Sequence, residues 1–421
     1  MKVSGSLRVP GDKSISHRAL IFSALAIGES RVTGVLQSAD VTSTAGVLRT
    51  LGAALPELSA DMVIRSSGLG ALREPTGDLD CGNSGTTTRL MAGVVAALPI
   101  TATFRGDASL SRRPMRRIAL PLEAMGATVE LPPHGGLPMT IRGGSLHDVS
   151  WDSQVASAQV KSAILLAALV SGASARVSEP ARSRDHTERM LSARGARVHV
   201  HVHDTVVSID RGSRIEPLDV DVPGDPSSAA FFAGLAALAD SGWLRLERVC
   251  VNETRTGFLA QLKRMGAGVV EESRALEGGE WVANLVVSPG ALRGTVVEPE
   301  DVPSMVDELP LLACLAARAT GETTITGAGE LRVKESDRIA AVVANLRAIG
   351  AEADELPDGM VIRGSTRRLC GRVATHGDHR LAMAFGILGA AGGNEIEIDD
   401  RECVAVSYPE FWQDLAAVTS S

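Results

Sequence analysis

The chain has 421 residues and a net charge of −8, and 44% of its residues are hydrophobic. This length exceeds what one core usually holds, so we expect two domains, and the acidity argues against general affinity for nucleic acids or anionic membranes. The five cysteines are widely spaced without a CxxC pair, so neither a disulfide framework nor a zinc site is expected.

Hydropathy gives no sign of a membrane or secreted protein. Met1–Gly5 contains no apolar leader, and the apolar run Ala163–Val170 is too short to cross a bilayer. We therefore expect a cytoplasmic protein.

The first repeat of the chain predicts an α/β order. It predicts a helix over Arg18–Ile27, a turn at Gly28–Ser30, a strand over Arg31–Leu36 and a second helix over Asp40–Leu51 with Asp40 as N-cap. Later parts of the chain repeat this order, and such alternation is typical of helices packed on sheets.

Six polar segments recur at intervals of 70 to 80 residues, each before an Ala/Leu-rich helical stretch. They are Lys13-Ser14, Asn83–Thr86, Ser157–Gln159, Asp225–Ser228, Asp307-Glu308 and Gly377–Arg380. A helix start offers unpaired N–H groups and the positive end of its dipole, so six anion-binding positions are expected.

The second helix of five repeats is predicted to end at a Gly-Ala pair, where Gly suits a left-handed backbone. The pairs are Gly52-Ala53, Gly126-Ala127, Gly195-Ala196, Gly266-Ala267 and Gly350-Ala351. Six repeats divide into a first domain over 12–223 and a second over 1–11 plus 224–421. We place hinges near 10–12 and 223–226, the latter in a Pro- and Gly-rich stretch.

Basic side chains cluster near the polar segments. A single Arg or Lys on a helix is usually a solvated surface residue, but recurrence at equivalent positions favours a small ligand carrying phosphate and carboxylate groups. Asp307 and Glu335 lie among these cations and are suited to proton transfer. The alternative for Asp307 is a helix N-cap, and for Glu335 a surface ion pair.

Other chemistries find little support. Pro10–Ser14 lacks the spacing of a nucleotide-binding P-loop, and the chain contains neither a GxSxG nucleophile elbow nor a GxGxxG after a strand. His199, His201 and His203 alternate and share one strand face. A metal site there is an alternative, but an exposed strand face is favoured because no carboxylate or Cys shares the spacing.

Together the motifs resemble the 5-enolpyruvylshikimate-3-phosphate synthases, the enolpyruvyl transferases of the shikimate pathway, and their class II branch in particular. The matching stretches, which run from residue 10 to about 410, are Pro10–Arg18, Gly82–Thr86, Arg112–Met115, Ser157–Lys161, Arg184–Glu188, Asn252–Arg255, Arg332–Arg338 and Gly377–Arg380. The resemblance implies an α/β fold of two domains, each of three βαβαββ repeats forming an inside-out α/β barrel, with ligands in an interdomain cleft at helix N-termini.

The resemblance also implies the reaction. The 5-hydroxyl of shikimate 3-phosphate adds to C2 of phosphoenolpyruvate while C3 is protonated, and the tetrahedral intermediate then loses a C3 proton and phosphate. No metal or organic cofactor is needed. Asp307 accepts the hydroxyl proton, and Glu335 protonates and later deprotonates C3. Lys13 and Lys334 are the other two implied catalytic residues.

The same resemblance assigns the substrate contacts. Residues implied for phosphoenolpyruvate are Lys13, Asn83, Gly85, Thr86, Arg113, Gln159, Arg338 and Arg380. Residues implied for shikimate 3-phosphate are Lys13, Ser14, Arg18, Ser157, Ala158, Gln159, Arg184, Asp307 and Lys334. The expected partners are these two substrates and glyphosate as inhibitor, with no nucleic acid or membrane, and a monomer is expected.

Two departures and two rivals accompany this interpretation. The best-known glyphosate-insensitive class II members carry Ala where this chain has Gly85, and Val404–Pro409 has no Lys where class I members place one. The sister enzyme acting on UDP-N-acetylglucosamine mostly uses a Cys in the loop matching Gly106–Pro114, which has none here. A non-catalytic anion-binding repeat protein would release no phosphate from the two substrates.

Overall fold

A computed structural model describes residues 1–201 and 205–420, which form two compact units. The N-terminal unit comprises Gly11–Val222 together with Leu276–Glu280. The C-terminal unit comprises Met1–Pro10, Pro223–Ala275 and the chain from Trp281 onward. The short segment Leu276–Glu280 gave no signal in the sequence, because nothing in its composition distinguishes it from an ordinary hairpin turn.

Each unit contains the helices of three repeats. Those of the N-terminal unit are α1 (Lys13–Leu25), α2 (Ala39–Thr50), α3 (Gly85–Ala96), the short α4 (Ala108–Ser111), α5 (Arg116–Ala124), α6 (Ala158–Ser171) and α7 (His186–Ala193). Those of the C-terminal unit are α8 (Pro226–Leu238), α9 (Gly257–Met265), α10 (Leu309–Ala316), α11 (Arg338–Ala348), α12 (His379–Ala390) and α13 (Phe411–Val418).

Three sheets belong to the N-terminal unit, and hydrogen bonding sets the spatial order of their strands. The first runs from β12 (Val220–Asp221) through β2 (Ile27–Thr33) to β3 (Asp61–Ser67). The second runs in the order β4 (Leu79–Asp80), β5 (Thr101–Arg105), β7 (Met139–Arg142) and β6 (Thr128–Glu130). The third runs in the order β10 (Val198–His201), β11 (Val206–Ile209), β9 (Ala175–Ser178) and β8 (Val149–Asp152).

The remaining three sheets are built on strands of the C-terminal unit. The largest runs in the order β14 (Gly268–Glu277), β15 (Glu280–Ser288), β13 (Ser241–Cys250), β1 (Lys2–Leu7) and β22 (Thr419–Ser420). The next runs in the order β16 (Val296–Val297), β17 (Glu322–Ile325), β19 (Gly359–Arg363) and β18 (Glu352–Leu356), and the last pairs β20 (Cys370–Val373) with β21 (Glu395–Ile398).

The strand pairing confirms the predicted α/β repeat. Each of the six sheets contains one parallel pair of strands. In four sheets the pair flanks the first helix of the repeat: β4 with β5, β8 with β9, β16 with β17 and β20 with β21. In the other two sheets a strand from elsewhere in the chain takes the first position: β12 pairs with β2, and β1 pairs with β13. Parallel neighbours require a crossover, which the helix supplies. The second, third and fifth repeats follow the full βαβαββ order in the chain. The first repeat takes β12 as its parallel partner strand and the fourth takes β1, while the sheet of the last repeat holds β20 and β21, since β22 pairs with β1.

The two helices of a repeat differ in burial. In α8 every residue but the last is buried, because its sequence is apolar all round. In contrast, α5 buries Ile118, Ala119, Pro121 and Leu122 and leaves its other face to solvent. The buried helices pack on one another. In the C-terminal unit α8, α10 and α12 are in mutual contact, and in the N-terminal unit α3 packs on both α1 and α6.

The Gly-Ala prediction is confirmed, since all five glycines have a left-handed φ between 85° and 111°. The boundaries predicted in the first repeat were wrong. The first helix ends at Leu25, and Ile27 to Ser30 lie in β2, where they pair with β3. The second helix begins at Ala39 with Ser38 at the N-cap, so Asp40 lies inside its first turn. Gly28 is not a helix stop, because it is a residue of β2 with a φ of 133°.

Among the described residues no helix is long and apolar enough to cross a membrane.

Close helix packing predicts a large effect at Gly93. A Cβ on this residue of α3 would lie 2.2 Å from the Ala163 carbonyl oxygen of α6, so backbone must move. We expect Gly93→Ala to lower the free energy of unfolding by about 1–3 kcal/mol or more, the usual range for overpacking. The measurement is the urea midpoint and slope.

Gly46→Ala in α2 is the matched control, since its Cβ would meet nothing within 4 Å. Because Ala is the better helix former, this variant should be unchanged or more stable by about 0.5–1 kcal/mol. Equal stability of the two variants would contradict the packing argument.

Candidate active site

Five of the six repeats begin their first helix with a side-chain cap, and α10 has none. Asp12 accepts a hydrogen bond from the Ile15 N–H at 2.8 Å, and Ser84 accepts one from the Thr87 N–H at 3.1 Å. The remaining capping side chains are Ser157 of α6, Asp225 of α8 and Asp378 of α12. These contacts fix the position of the N–H groups that the sequence predicts as anion sites.

Lys13 lies at the first residue of α1, and Asp40 holds it. The Lys13 Nζ is 3.1 Å from a carboxylate oxygen of Asp40, and both side chains are partly buried. Burial alone would raise the pKa of Asp40, but Lys13 and the other neighbouring basic groups together outweigh it, so the pKa lies below its usual value. The ion pair therefore orients the ammonium group of Lys13.

A buried chain of hydrogen bonds links the first two turns of α1 and the first turn of α3 through the middle of α2. The His17 Nδ1 is 2.6 Å from the Thr44 hydroxyl, which is 2.7 Å from the Thr87 hydroxyl, and Thr87 donates to Ser84 at 2.7 Å. Burial is the main cause that lowers the pKa of His17 to about 3, so the ring is neutral at physiological pH. These hydrogen bonds therefore connect the three helices without adding charge.

The residues implied for phosphoenolpyruvate in the N-terminal unit form two connected groups. Asn83 donates to Asp107 at 2.5 Å and accepts from Arg113 at 2.7 Å. Gln159 accepts from Arg89 and donates to the Thr86 hydroxyl at 3.0 Å. The structure thus adds Arg89, which no motif singled out as a site residue, as the partner that orients Gln159.

Gly85 lies between these groups, at the first position of α3. A Cβ there would approach Arg89 Nη1 at 3.2 Å and Arg113 Nη1 at 3.5 Å. Both neighbours are ends of flexible side chains, so a methyl group can be accommodated by a shift of a few tenths of an ångström.

Apart from Asp307 and Lys334, the residues implied for shikimate 3-phosphate lie in the N-terminal unit, in the first two turns of α1 and at or just before the starts of α6 and α7. Arg18 is 3% exposed, and its three guanidinium nitrogens donate to the Thr187 hydroxyl at 2.7 Å, the Ser162 hydroxyl at 2.9 Å and the Ser14 carbonyl at 3.0 Å. Burial lowers the pKa of Arg18 to about 10, which still leaves it charged. Ser157 and Ala158 begin α6, and Arg184 precedes α7 by two residues.

In the C-terminal unit a buried guanidinium organises the predicted residues. Arg338 is 1% exposed and donates to Asp378 at 2.7 Å and to Glu335 at 2.7 Å. Its Nη1 lies 3.6 Å from Asp307, outside hydrogen-bond distance, and donates to no described residue. Burial would lower the pKa of Arg338, but the adjacent carboxylates, Asp378 first, raise it above its usual value.

Asp307 and Arg380 complete this cluster. Asp307 lies in a 3₁₀ turn, Val306–Glu308, directly before α10. Arg380 Nη2 is 3.7 Å from the Asp307 carboxylate, and Arg380 Nη1 donates to its carbonyl oxygen at 3.2 Å. The neighbouring Glu308 is 3% exposed and accepts from the Ser227 hydroxyl, so the structure adds a second carboxylate beside Asp307.

Glu335 is the more exposed carboxylate of the cluster. Burial would raise its pKa, but Arg338, a backbone N–H, His379 and Arg380 together lower the pKa to about 2. Glu335 is therefore ionised at neutral pH and is a weak base in this state. To donate one, it needs a neighbouring negative charge that offsets the two arginines.

Lys334 lies at the end of a 3₁₀ turn, Gly329–Val333. Its Nζ forms an ion pair with Glu330 at 2.9 Å. The Lys334 ammonium group is therefore paired with the exposed carboxylate of Glu330. To contact the substrate as expected, Lys334 must release Glu330.

The predicted histidine face is exposed. His199 and His201 lie on β10, and His199 pairs with Asp210 at 3.2 Å, while His203 lies outside the described residues. Among the residues that the structure describes, no group of three His, Cys, Asp or Glu side chains could hold a metal ion.

Comparison with known proteins identifies the family. The family model described as EPSP synthase (3-phosphoshikimate 1-carboxyvinyltransferase) matches residues 1–415. A relative of that name from Sulfurihydrogenibium sp. (strain YO3AOP1) is 48% identical, with 99% of this chain and 98% of the relative covered. Another from Persephonella marina is 46% identical, with 100% and 98% covered.

A solved EPSP synthase from Acinetobacter baumannii has the same fold. It superposes with a TM-score of 0.91 at 39% identity and covers 99% of this chain and 96% of its own. The chain belongs to the EPSP synthase family. It is accordingly a transferase that moves the enolpyruvyl group of phosphoenolpyruvate to shikimate 3-phosphate in aromatic biosynthesis.

The lowered pKa of Glu335 predicts a pH-dependent contribution to stability. The folded pKa of about 2 lies below the ordinary 4.5, so the contribution is complete above pH 4.5 and is lost as the pH falls toward 2. We expect the difference in unfolding free energy between the wild type and Glu335→Gln to be constant from pH 7 to 5.5 and to shrink from pH 4.5 to 3. Urea unfolding of both proteins measures it. A difference that stays constant down to pH 3 would contradict the assigned pKa.

Proposed function

We propose that this chain performs the transfer by addition–elimination, with the cation–carboxylate cluster of the C-terminal unit as its proton-transfer centre. The observation that carries the proposal is the placement of Asp307 and Glu335 around the same two guanidinium groups, Arg338 and Arg380. Two carboxylates with different surroundings suit two separate proton transfers.

Anion binding is assigned to cations of both units. In the proposal Arg338 and Arg380 of one unit and Lys13 and Arg113 of the other bind phosphoenolpyruvate. The Nη1 of Arg338, which donates to no described residue, is the natural donor to an incoming anion. Asn83, Gly85, Thr86 and Gln159 are assigned to the same ligand.

Shikimate 3-phosphate is assigned to the helix starts of the N-terminal unit. Ser157, Ala158 and Gln159 offer the beginning of α6 to the phosphate, with Ser14, Arg18 and Arg184 beside it. Lys334 exchanges Glu330 for substrate, and Asp307 accepts the proton of the 5-hydroxyl group.

The charge of Glu335 supports a role coupled to substrate binding. In the proposal the negative charge of phosphoenolpyruvate offsets Arg338 and Arg380, so the pKa of Glu335 rises and the carboxyl group can protonate C3. When phosphate leaves, the same carboxylate takes a proton back from C3. The proton count closes because the hydroxyl proton stays with Asp307 until it is passed to solvent.

The acid–base assignment predicts slow variants. Asp307→Asn and Glu335→Gln should each lower kcat by roughly 10² to 10⁴, the range for a lost proton transfer, without loss of the fold. Phosphate release with both substrates is the assay. Glu395→Gln, which changes an exposed carboxylate on β21, is the control and should keep normal turnover. Near-normal kcat in either site variant would refute its role.

Gly85 predicts the response to glyphosate. The inhibitor is longer than phosphoenolpyruvate, so we expect competitive inhibition of the wild type and a larger rise of Ki than of KM in Gly85→Ala. In the free protein the two arginine ends at 3.2 and 3.5 Å can shift away from the added methyl. A bound inhibitor that holds these arginines removes that freedom, and overpacking then costs about 1–3 kcal/mol, or roughly tenfold to a hundredfold in affinity. Inhibition kinetics on both proteins, with Gly46→Ala as control, measure the effect. A wild type insensitive to millimolar glyphosate would show that Gly85 does not decide tolerance.

We further propose that the protein is a cytoplasmic monomer. Two features support a cytoplasmic location. Both substrates are small anionic molecules, and the sequence contains no CxxC pair. Light scattering at micromolar concentration tests the oligomeric state.

A further inference from the structure

A buried ion-pair triad occupies the interior of the N-terminal unit. Lys161 of α6 is 1% exposed, and its Nζ lies 2.8 Å from Glu179 and 2.8 Å from Glu188. Glu179 directly follows β9, and Glu188 lies in the first turn of α7. Buried charges of this kind are expensive unless paired, so the triad calls for a reason beyond stability.

Glu179 has contacts that Glu188 lacks. Its Oε1 accepts the backbone N–H of Ser157 at 2.8 Å, and its two oxygens accept the Ser183 hydroxyl at 2.9 and 2.8 Å. Ser157 is the N-cap of α6, and Ser183 lies between Arg182 and Arg184. One carboxylate therefore joins the two separate segments that the proposed function assigns to shikimate 3-phosphate.

Lys161 keeps this carboxylate in place. Burial would lower the pKa of Lys161, but Glu188 and Glu179 outweigh it and raise the pKa above its usual value, so the ammonium stays charged. Lys161 lies on α6, the helix that Ser157 caps, and therefore holds the Glu179 carboxylate next to the start of this helix. The link is thus formed before any ligand binds.

We propose that Glu179 is a positioning residue for shikimate 3-phosphate, fixing the start of α6 and the Arg182–Arg184 segment in the spacing that the anionic substrate requires. This inference rests on the proposed function. Glu179 contacts no substrate itself. It acts through the Ser157 backbone and the Ser183 hydroxyl, whose displacement by a fraction of an ångström would misplace the phosphate donors.

The test is steady-state kinetics and calorimetric binding with Glu179→Gln. The amide keeps the size but loses the charge and one acceptor, so it cannot hold Lys161, Ser157 and Ser183 together. We expect KM and Kd for shikimate 3-phosphate to rise about 10- to 100-fold. We expect kcat to fall less than about threefold and KM for phosphoenolpyruvate to change little, because the chemistry is carried by other residues.

Glu188→Gln is the matched control, since it removes the other carboxylate of Lys161 at equal burial but no contact to Ser157 or Ser183. Both variants should lower the urea midpoint, whereas only Glu179→Gln should raise KM for shikimate 3-phosphate. An equal rise in both would overturn the proposal and leave a purely structural triad.

Ser183→Ala provides a second, milder variant in case Glu179→Gln does not fold. It should raise Kd for shikimate 3-phosphate about three- to tenfold, as expected for one lost buried hydrogen bond. An unchanged Kd in this variant, or a Glu179→Gln protein altered in kcat alone, would overturn the proposal. Wild-type protein without phosphate release from the two substrates would instead refute the proposed function.

Discussion

Capping of the buried helices is the interaction on which the polar clusters of each unit depend. Helices such as α8 are apolar all round and can be buried only if the N–H groups of their first turn find partners. Asp12, Ser84 and Asp378 each accept one of these N–H groups, and Asp225 accepts two. The residues that allow a helix to enter the core therefore lie at the same helix ends that we propose as anion sites.

Charge balance follows from the same arrangement. Arg338 and Lys161 are buried in the first turns of α11 and α6, and a cation next to a helix N-terminus is electrostatically disfavoured. The structure compensates with carboxylates: Asp378 and Glu335 for Arg338, and Glu179 and Glu188 for Lys161. Both basic residues are thus held in one orientation. For Arg338, which we propose binds phosphoenolpyruvate, this arrangement lowers the entropic cost of binding.

The sequence predicted the repeat order, the helix ends at the Gly-Ala pairs and the α/β class, because these depend on short local patterns. It did not predict the limits of β2, since Gly28 is a strand residue with a left-handed φ and resembles a helix stop in sequence. Nor did it reveal Glu179 or Arg89, whose partners lie 22 and 70 residues away. Such pairings depend on tertiary contacts that no local pattern encodes. The assigned substrate contacts themselves remain predictions.

The position of β1 has a consequence for folding during synthesis. Lys2 pairs with Ser241 and Leu7 with Leu246, so β1 precedes its partner strand by about 240 residues. At roughly 5–20 residues per second the ribosome leaves it unpaired for about 12–48 s. During that interval Gly11–Val222 is synthesised, while Leu276–Glu280 of the same unit is still to come. An exposed, unpaired strand is an aggregation hazard. β1 is a poor template for association with other chains during this interval. It is short, the polar residues Lys2, Ser4 and Ser6 alternate along it, and Gly5 has a φ of 117°.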